Sequence, residues 1–278
     1  SPHEKEFLSE HFLCSEGFFQ AHTGEGFLID KTSAILGTIN IRNHLQLTTL
    51  NTDENLESAW KQLTCLETEL EKNMSFAFSK RFGFLTADPQ QCGTAFHASL
   101  LLHLPALRLE QTFDNFTEEL KKESVTTKSL HGDEVHFTGD LIVLTNNRSL
   151  GVTEEDILRN LRTQSMKLIV AEKRARSQIK LSPSPEAKNL IHKAFGVLTY
   201  AYQLEIIESF DLLSACKLGI DLGWITGVDH KAINKLLINC RKAHLSEIIK
   251  SELNNEEAKT QRALLIKKSL KKAKLQNL

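Results

Sequence analysis

Arg81–Leu107 reads RFGFLTADPQQCGTAFHASLLLHLPAL, and its punctuation decides the fold class. Phe82–Thr86 is a short apolar strand pattern, and Ala98–Leu104 is a second one, stopped by Pro105. Between them lies a loop with Pro89, Gly93 and Thr94, carrying Asp88, Gln90, Gln91, Cys92 and His97 for chemistry. A polar loop mounted on two buried strands sits on a rigid base while its own residues are free to vary, which is where sites are built.

Upstream of this frame, residues 26–30 and 34–47 read as strands, with Lys31-Thr32-Ser33 as the hairpin turn. Residues 53–72 read as a helix, with Asp53 suited to the N-cap and Leu56, Trp60, Leu63, Leu66 and Leu70 recurring at helical spacing. Residues 3–13 alternate charge with Phe7, Leu8, Phe12 and Leu13 as an amphipathic helix does. Downstream come an amphipathic helix over 112–124, an extended Thr126–His131 and a turn at Gly132-Asp133. A strand at Leu141–Leu144 and a tight turn at Asn146-Asn147 follow. A long helix then opens at Thr153, whose hydroxyl caps a first turn rich in Glu154, Glu155 and Asp156, and runs to about Ile179. Two prolines within Leu181–Pro185 end it and mark a boundary. The remainder is helical in pattern over 186–195, 199–204, 208–216, 229–238 and 256–274. The fold class expected is α+β: a mostly antiparallel sheet flanked by helices over residues 1–180, a linker at 181–185, and an all-helical domain over 186–278.

Composition is that of an ordinary globular chain: 278 residues, 41% hydrophobic and 25% charged. A formal net charge of −1 gives no electrostatic claim on nucleic acid or membrane. No apolar run approaches the roughly 18 residues of a membrane span, and the opening SPHEKEFLSEHF, polar and acidic, does not read as a signal peptide. Cys14, Cys65, Cys92, Cys216 and Cys240 are scattered and odd in number, with no C-x-x-C, which predicts reduced thiols in a cytoplasmic protein and no zinc or other metal site. The basic tail KKSLKKAK reads as a charge run matching a helix dipole, or as a patch for an acidic partner.

Catalytic patterns are thin. Cys92 and His97 lie five residues apart across a loop and a strand with no third group to orient them. His97, His103, His131 and His136 follow no metal-ligand spacing, and alternation puts His97 and His103 on one face only if the strand is unbroken. No glycine-rich phosphate loop occurs. From its residues alone the chain is a two-domain protein without an intact catalytic signature.

The opening stretch nevertheless resembles a family signature. In ATP:guanidino phosphotransferases (phosphagen kinases and bacterial protein-arginine kinases), a strand ending GFLT leads to CPTNLGTxxRAS and then to an apolar strand ending LPxL. RFGFLT, ADPQQCGTAFHAS and LLLHLPAL follow that layout without a gap. Asn40–Gln46 stands where the family has NEEDHLR, Lys128–Asp133 where it has RGxxGE, and Leu144–Gly151 where it has ISNxxxLG. The stretch AFGVLTYAYQLEIIESFDLLSACKLGIDLGWITGV resembles the helical domain of bacterial protein-arginine kinases of the McsB type. The chain opens abruptly, as part of a longer protein does, and the family's N-terminal SSRxRxxRN block has no counterpart in it.

The resemblance implies transfer of a phosphoryl group from ATP, with magnesium, to a guanidinium nitrogen, inside a cage of arginines for phosphate and carboxylates for the guanidinium. The cofactor-binding arginines correspond to Gln46, His97 and Lys128, all substituted. Arg42 replaces a family carboxylate and Asp88 the family cysteine, while Asp133 keeps the GE carboxylate in kind. The family's phosphoarginine motif RDxxRA reads Ala258–Ala263 here, with Lys259 and Arg262 as the remaining cations, and this segment reads equally as a solvated helix face. Three outcomes follow from these departures. The chain is an impaired or inactive homologue that binds or regulates in stress response and proteolysis, an active kinase with a rearranged site, or an oligomerisation domain. In the inactive case no cofactor is required. Family partners are a zinc-containing activator, a repressor and a Clp-type unfoldase, and a homo-oligomer is expected.

Overall fold

The computed structural model describes residues 2–12, 23–52, 55–130 and 137–276. Helix α1 (Pro2–His11) is followed by an antiparallel sheet of β1 (Gly26–Ile29), β2 (Ile35–Ile39) and β3 (Leu45–Thr49) in that order. The strand expected over 34–47 is broken, because Asn40 takes a positive φ of 55° and its N–H donates to His44 O at 3.2 Å, turning the chain back on itself. Asp30 holds the first hairpin by accepting from the amides of Thr32, Ala34 and Ile35 and from the Thr32 hydroxyl. These bonds hold its pKa down at about 2.

Helix α2 (Leu56–Glu71) is capped by Asn55, whose side chain accepts from Ser58 N. The expected cap, Asp53, lies outside the described residues. A small hairpin of β4 (Phe78–Ser79) and β5 (Gly83–Phe84) precedes the loop. A second antiparallel sheet then forms from β6 (Ser99–His103), β7 (Val125–Lys128) and β8 (Leu141–Asn146), with β8 central. Leu101 faces Val143 and Lys128 faces Val143 from the other side, which fixes the register. Pro105, read as a strand stop, also begins α3 (Pro105–Leu109), where a proline fits the first turn. Helix α4 (Asp114–Lys122) packs against β7. The turn expected at Gly132-Asp133, with His131 and His136, lies outside the described residues.

Helix α5 (Glu154–Leu181) carries the expected capping box between Thr153 and Asp156. Ser184 caps α6 (Pro185–Tyr200), so Pro185 belongs to a helix and only Ser182–Ser184 separates the two. Then come α7 (Ile206–Asp221), β9 (Ile225–Thr226), α8 (His230–Asn239), α9 (Lys242–Ile249), α10 (Asn255–Ser269) and β10 (Lys274–Leu275), which pairs with β9. The helix expected at 199–204 does not form, because α6 ends at Tyr200 and Leu204 N reaches across to Lys259 O at 3.2 Å. The last helix stops at Ser269, and Lys274 enters the short hairpin instead.

One contiguous core runs from Ile142 and Leu144 of β8, through Leu161 and Leu168 of α5, to Ile191, Leu213 and Ile266 of the helical part. A separate small cluster forms around Phe12 and Leu36. The sheet and the helical part are also tied by polar contacts. Arg176 of α5 bonds Glu172 Oε1 at 2.6 Å, Asp221 Oδ2 at 2.5 Å and His103 O at 3.1 Å. The buried Glu172 carboxylate accepts in turn from Ala106 N and Leu107 N at the start of α3.

Candidate functional site

The loop after β5 is held by three backbone crossings. Phe84 N donates to Gly93 O at 2.8 Å and Gly93 N returns to Phe84 O at 3.1 Å, so the GFLT and CGT segments meet directly. Thr94 N donates to Ser149 O at 3.1 Å. Gly93 has φ +113°, and a Cβ there would stand 2.2 Å from Ser149 O, so only glycine permits this approach. Asn146, expected in a tight turn, instead ends β8 as a buried clip. Its Oδ1 accepts from Ala98 N at 2.9 Å, and its Nδ2 donates to Phe96 O and Arg148 O, each at 3.1 Å. The segment 96–98 is thereby fixed against 146–148 just before β6 begins.

Asp88 sits at the head of the loop. Its Oδ1 accepts from Gln90 N at 3.0 Å, capping a 3-10 turn at Pro89–Gln91, and its backbone O accepts from Thr86 Oγ1 at 2.7 Å. Cys92 Sγ lies 3.7 Å from Thr86 Oγ1. The turn between β2 and β3 is hooked onto this loop by Ala87 N, which donates to Asn43 Oδ1 at 2.9 Å. That hook brings the neighbouring Arg42 to Asp88, Nη2 to Oδ2, at 3.3 Å.

His97 and Lys128 face the same region, since the charges of Arg42, Lys128 and Asp88 all act on the His97 ring. Desolvation of the ring comes first, then the Arg42 and Lys128 cations, and together they lower the His97 pKa. Asp88 opposes them. Gln46 stands exposed on β3, directly after the turn that carries Arg42. The structure thus gathers Arg42, Asp88, His97 and Lys128 around one loop. Asp133 lies outside the described residues. His103 is remote from this group: β6 starts only at Ser99, and His103 is half-buried against Ser214 of α7.

These residues fit a nucleotide with its magnesium poorly. Of the three positions expected to hold phosphate, Gln46 has no charge and His97 is shifted toward its neutral form, which leaves Lys128. Arg42 is engaged with Asp88. Among the described residues no group of three or more His, Cys, Asp or Glu side chains is placed to hold a metal ion. Beside the loop, Phe78, Arg81, Phe82, Thr94 and Leu150 line an open depression of 310 Å³, which the strand–loop–strand reading did not foresee.

In the helical part, Arg262 is 4% exposed. Its Nε donates to Cys240 O and its Nη1 to Leu204 O, both at 2.7 Å, so its described bonds tie α10 to the end of α8 and to the segment before α7. Lys259 lies at the surface between Glu205 and Glu256, each at 2.7 Å. The two cations expected to share one phosphate therefore serve different contacts. The N-terminus of α9 receives Glu10 of α1, which accepts from Ala243 N and His244 N at 3.2 Å.

A family model described as the C-terminal catalytic domain of ATP:guanido phosphotransferase matches residues 1–175, and the chain belongs to this family. A second model, described as the C-terminal domain of the protein-arginine kinase McsB, matches residues 186–278. The protein-arginine kinase of Halothermothrix orenii is 35% identical over 267 residues, covering 96% of this chain and 76% of that protein. The protein-arginine kinase of Chlamydia pneumoniae is 39% identical over 244 residues, covering 87% of this chain and 68% of that protein. Among solved structures, the duplicated taurocyamine kinase from Schistosoma mansoni with bound transition state analog components matches with a TM-score of 0.50 and 27% identity. That match covers 66% of this chain and 27% of the kinase chain. Lombricine kinase matches in fold with a TM-score of 0.51 and 19% identity, over 61% of this chain and 50% of its own. The fold is therefore the mixed helix and antiparallel sheet of the phosphagen kinases, with helices following. Among the described residues no helix is long and apolar enough to cross a membrane.

Proposed function

We propose that this chain is a protein-arginine kinase homologue whose phosphoryl transfer is impaired, and that it works by binding rather than by turnover. The observation that supports this reading is the Arg42–Asp88 pair, which sets a cation at the position that the resemblance gives to a substrate-holding carboxylate. Like charges brought to one site exclude each other. The uncharged Gln46 and the depressed His97 point the same way. Losing one preorganised donor at developing charge costs about 10²–10³ in rate, and all three positions are substituted, with only Lys128 keeping a full charge. The retained helical part supports a regulatory role in stress response and proteolysis, with a zinc-containing activator, a repressor or a Clp-type unfoldase as partner and a homo-oligomer as the working form. If transfer survives, ATP with magnesium is the donor, an arginine side chain the acceptor, and Asp133 the carboxylate that serves it. The test is incubation with Mg-ATP and an arginine-rich protein, followed by acid-labile phosphate analysis. No phosphoarginine above the blank is expected. Incorporation that disappears in Asp133→Ala would establish the active enzyme instead.

A further inference from the structure

The family's name gives its substrate group as a guanido group, and the carboxylate of this loop already holds one from its own chain. Arg42 Nη2 meets Asp88 Oδ2 at 3.3 Å, with side chains 45% and 31% exposed. The pairing is built by the backbone rather than by two long side chains meeting at random. Asn43, next to Arg42, fastens its turn to Ala87, next to Asp88. Asp88 is itself fixed, with Oδ1 on Gln90 N and Oδ2 within 3.4 Å of Gln91 Nε2. The loop and the 40–44 turn therefore present a guanidinium to a positioned carboxylate within a region that also holds His97 and Lys128.

Building on the family reading above, we propose that Arg42 is an internal pseudosubstrate: its guanidinium occupies the Asp88 carboxylate and keeps out the guanidinium of an arginine-bearing protein. A tethered group competes at an effective concentration in the millimolar range or above, so a free arginine side chain meets a filled site. Exposed pairs of this kind hold weakly, so the plug is displaceable, and Asp88 becomes a guanidinium-binding site once the 40–44 turn moves away. A pair that only staples the loop predicts something different: its removal lowers stability and opens no site.

The experiment is a titration of the full 278-residue chain with Nα-acetyl-arginine amide, in the absence of nucleotide, followed by amide chemical shifts of the 85–93 loop. Arg42→Ala is expected to bind up to about fivefold more tightly than the parent, the most that an exposed pair of ordinary strength supplies. Arg42→Ala with Asp88→Asn is expected to lose that gain, and Nα-acetyl-lysine amide to show none. No gain in Arg42→Ala, or a gain that survives Asp88→Asn, overturns the proposal. Arg42→Gln keeps a polar side chain of similar reach and repeats the test. If both variants lose the folded spectrum, the pair is a staple and the proposal falls. Because ATP is absent, the result is independent of the phosphoarginine assay, which alone decides whether transfer is impaired.

Discussion

His103 Nε2 lies 2.8 Å from the Ser214 hydroxyl, which donates to Asp140 Oδ2 at 2.6 Å. The single hydroxyl proton goes to the carboxylate, so Nε2 carries the imidazole hydrogen and Nδ1 is bare. Among the described residues Nδ1 is buried and finds no partner. Burial, followed by the charges of Lys217, Arg176 and His230, holds the His103 pKa well below the usual value. An unfolded histidine titrates near pH 6.5, so below that pH the unfolded chain binds a proton the folded chain refuses. The stability contributed by neutral His103 is complete above about pH 6.5 and is lost as pH falls toward the folded pKa. His97, also lowered, acts in the same direction. Urea midpoints measured from pH 7.5 to pH 5 are expected to fall, with a slope of up to about 1.4 kcal/mol per pH unit for each proton. The slope shrinks in His103→Gln, and a slope unchanged in that variant would remove His103 from the account.

Arg176 is one of the polar ties between sheet and helices. Removing it leaves Glu172 buried, with only the two α3 amides as described donors. Stripping one partner from a buried ion pair costs about 3 kcal/mol or more. Arg176→Met is expected to lose that much by chemical denaturation, and Arg176→Lys to recover part of it. Because one core passes through both parts, the transition in the parent chain is expected to be single. A second, separate transition in Arg176→Met would show that this tie, rather than the shared apolar core, couples the parts.

Gly93 tolerates no side chain. Its φ of +113° and the 2.2 Å approach to Ser149 O require the backbone to shift before any Cβ fits. Gly93→Ala is expected to lower stability by about 1–3 kcal/mol and to break the Phe84–Gly93 bridge that frames the loop. Thermal melting measures the first effect, and loss of hydrogen-exchange protection at Phe84 N reports the second. By contrast Gly196, with open space around its Cβ position, should accept alanine without penalty.

The frame of the fold was legible wherever apolar period and chain stops agreed. Short apolar runs located β6 and β8, and the Thr153 cap with its acidic first turn located the start of α5. What stayed hidden depended on contacts distant in sequence. Glu172 lies among the charged residues of α5 and reads as solvated, yet it is buried because it caps α3 from 65 residues away. Helix α9 is short and has no side-chain N-cap of its own; Glu10, more than 230 residues earlier, supplies the acceptor at its first turn. Asn146 reads as a turn residue in isolation, and only the arrival of Phe96 and Ala98 makes it a clip. Arg42, Asp88, His97 and Lys128, which the resemblance singles out, come together around one loop. That Arg42 closes on Asp88 required the Asn43–Ala87 hook, for which the sequence carries no local signal.

If exchanged side chains, rather than a lost frame, weaken the nucleotide site, then restoring them should restore binding. Gly93, Asn146 and the Arg42 turn are all in place to position them. The variant Gln46→Arg/His97→Arg/Arg42→Glu returns two cations for phosphate and one carboxylate, while removing the guanidinium that pairs with Asp88. Ligand present at a hundred times its Kd stabilises a folded chain by about 2.7 kcal/mol, which for a chain of this size is roughly 5 °C in melting temperature. Mg-ATP is expected to raise the melting temperature of the triple variant by that order and to leave the parent chain nearly unmoved. An equal shift in the parent would mean that Lys128, with groups outside the three substituted positions, already holds the triphosphate. In that case phosphate binding survives, and any impairment has to arise at the guanidinium side, where Arg42→Glu alone should then relieve it.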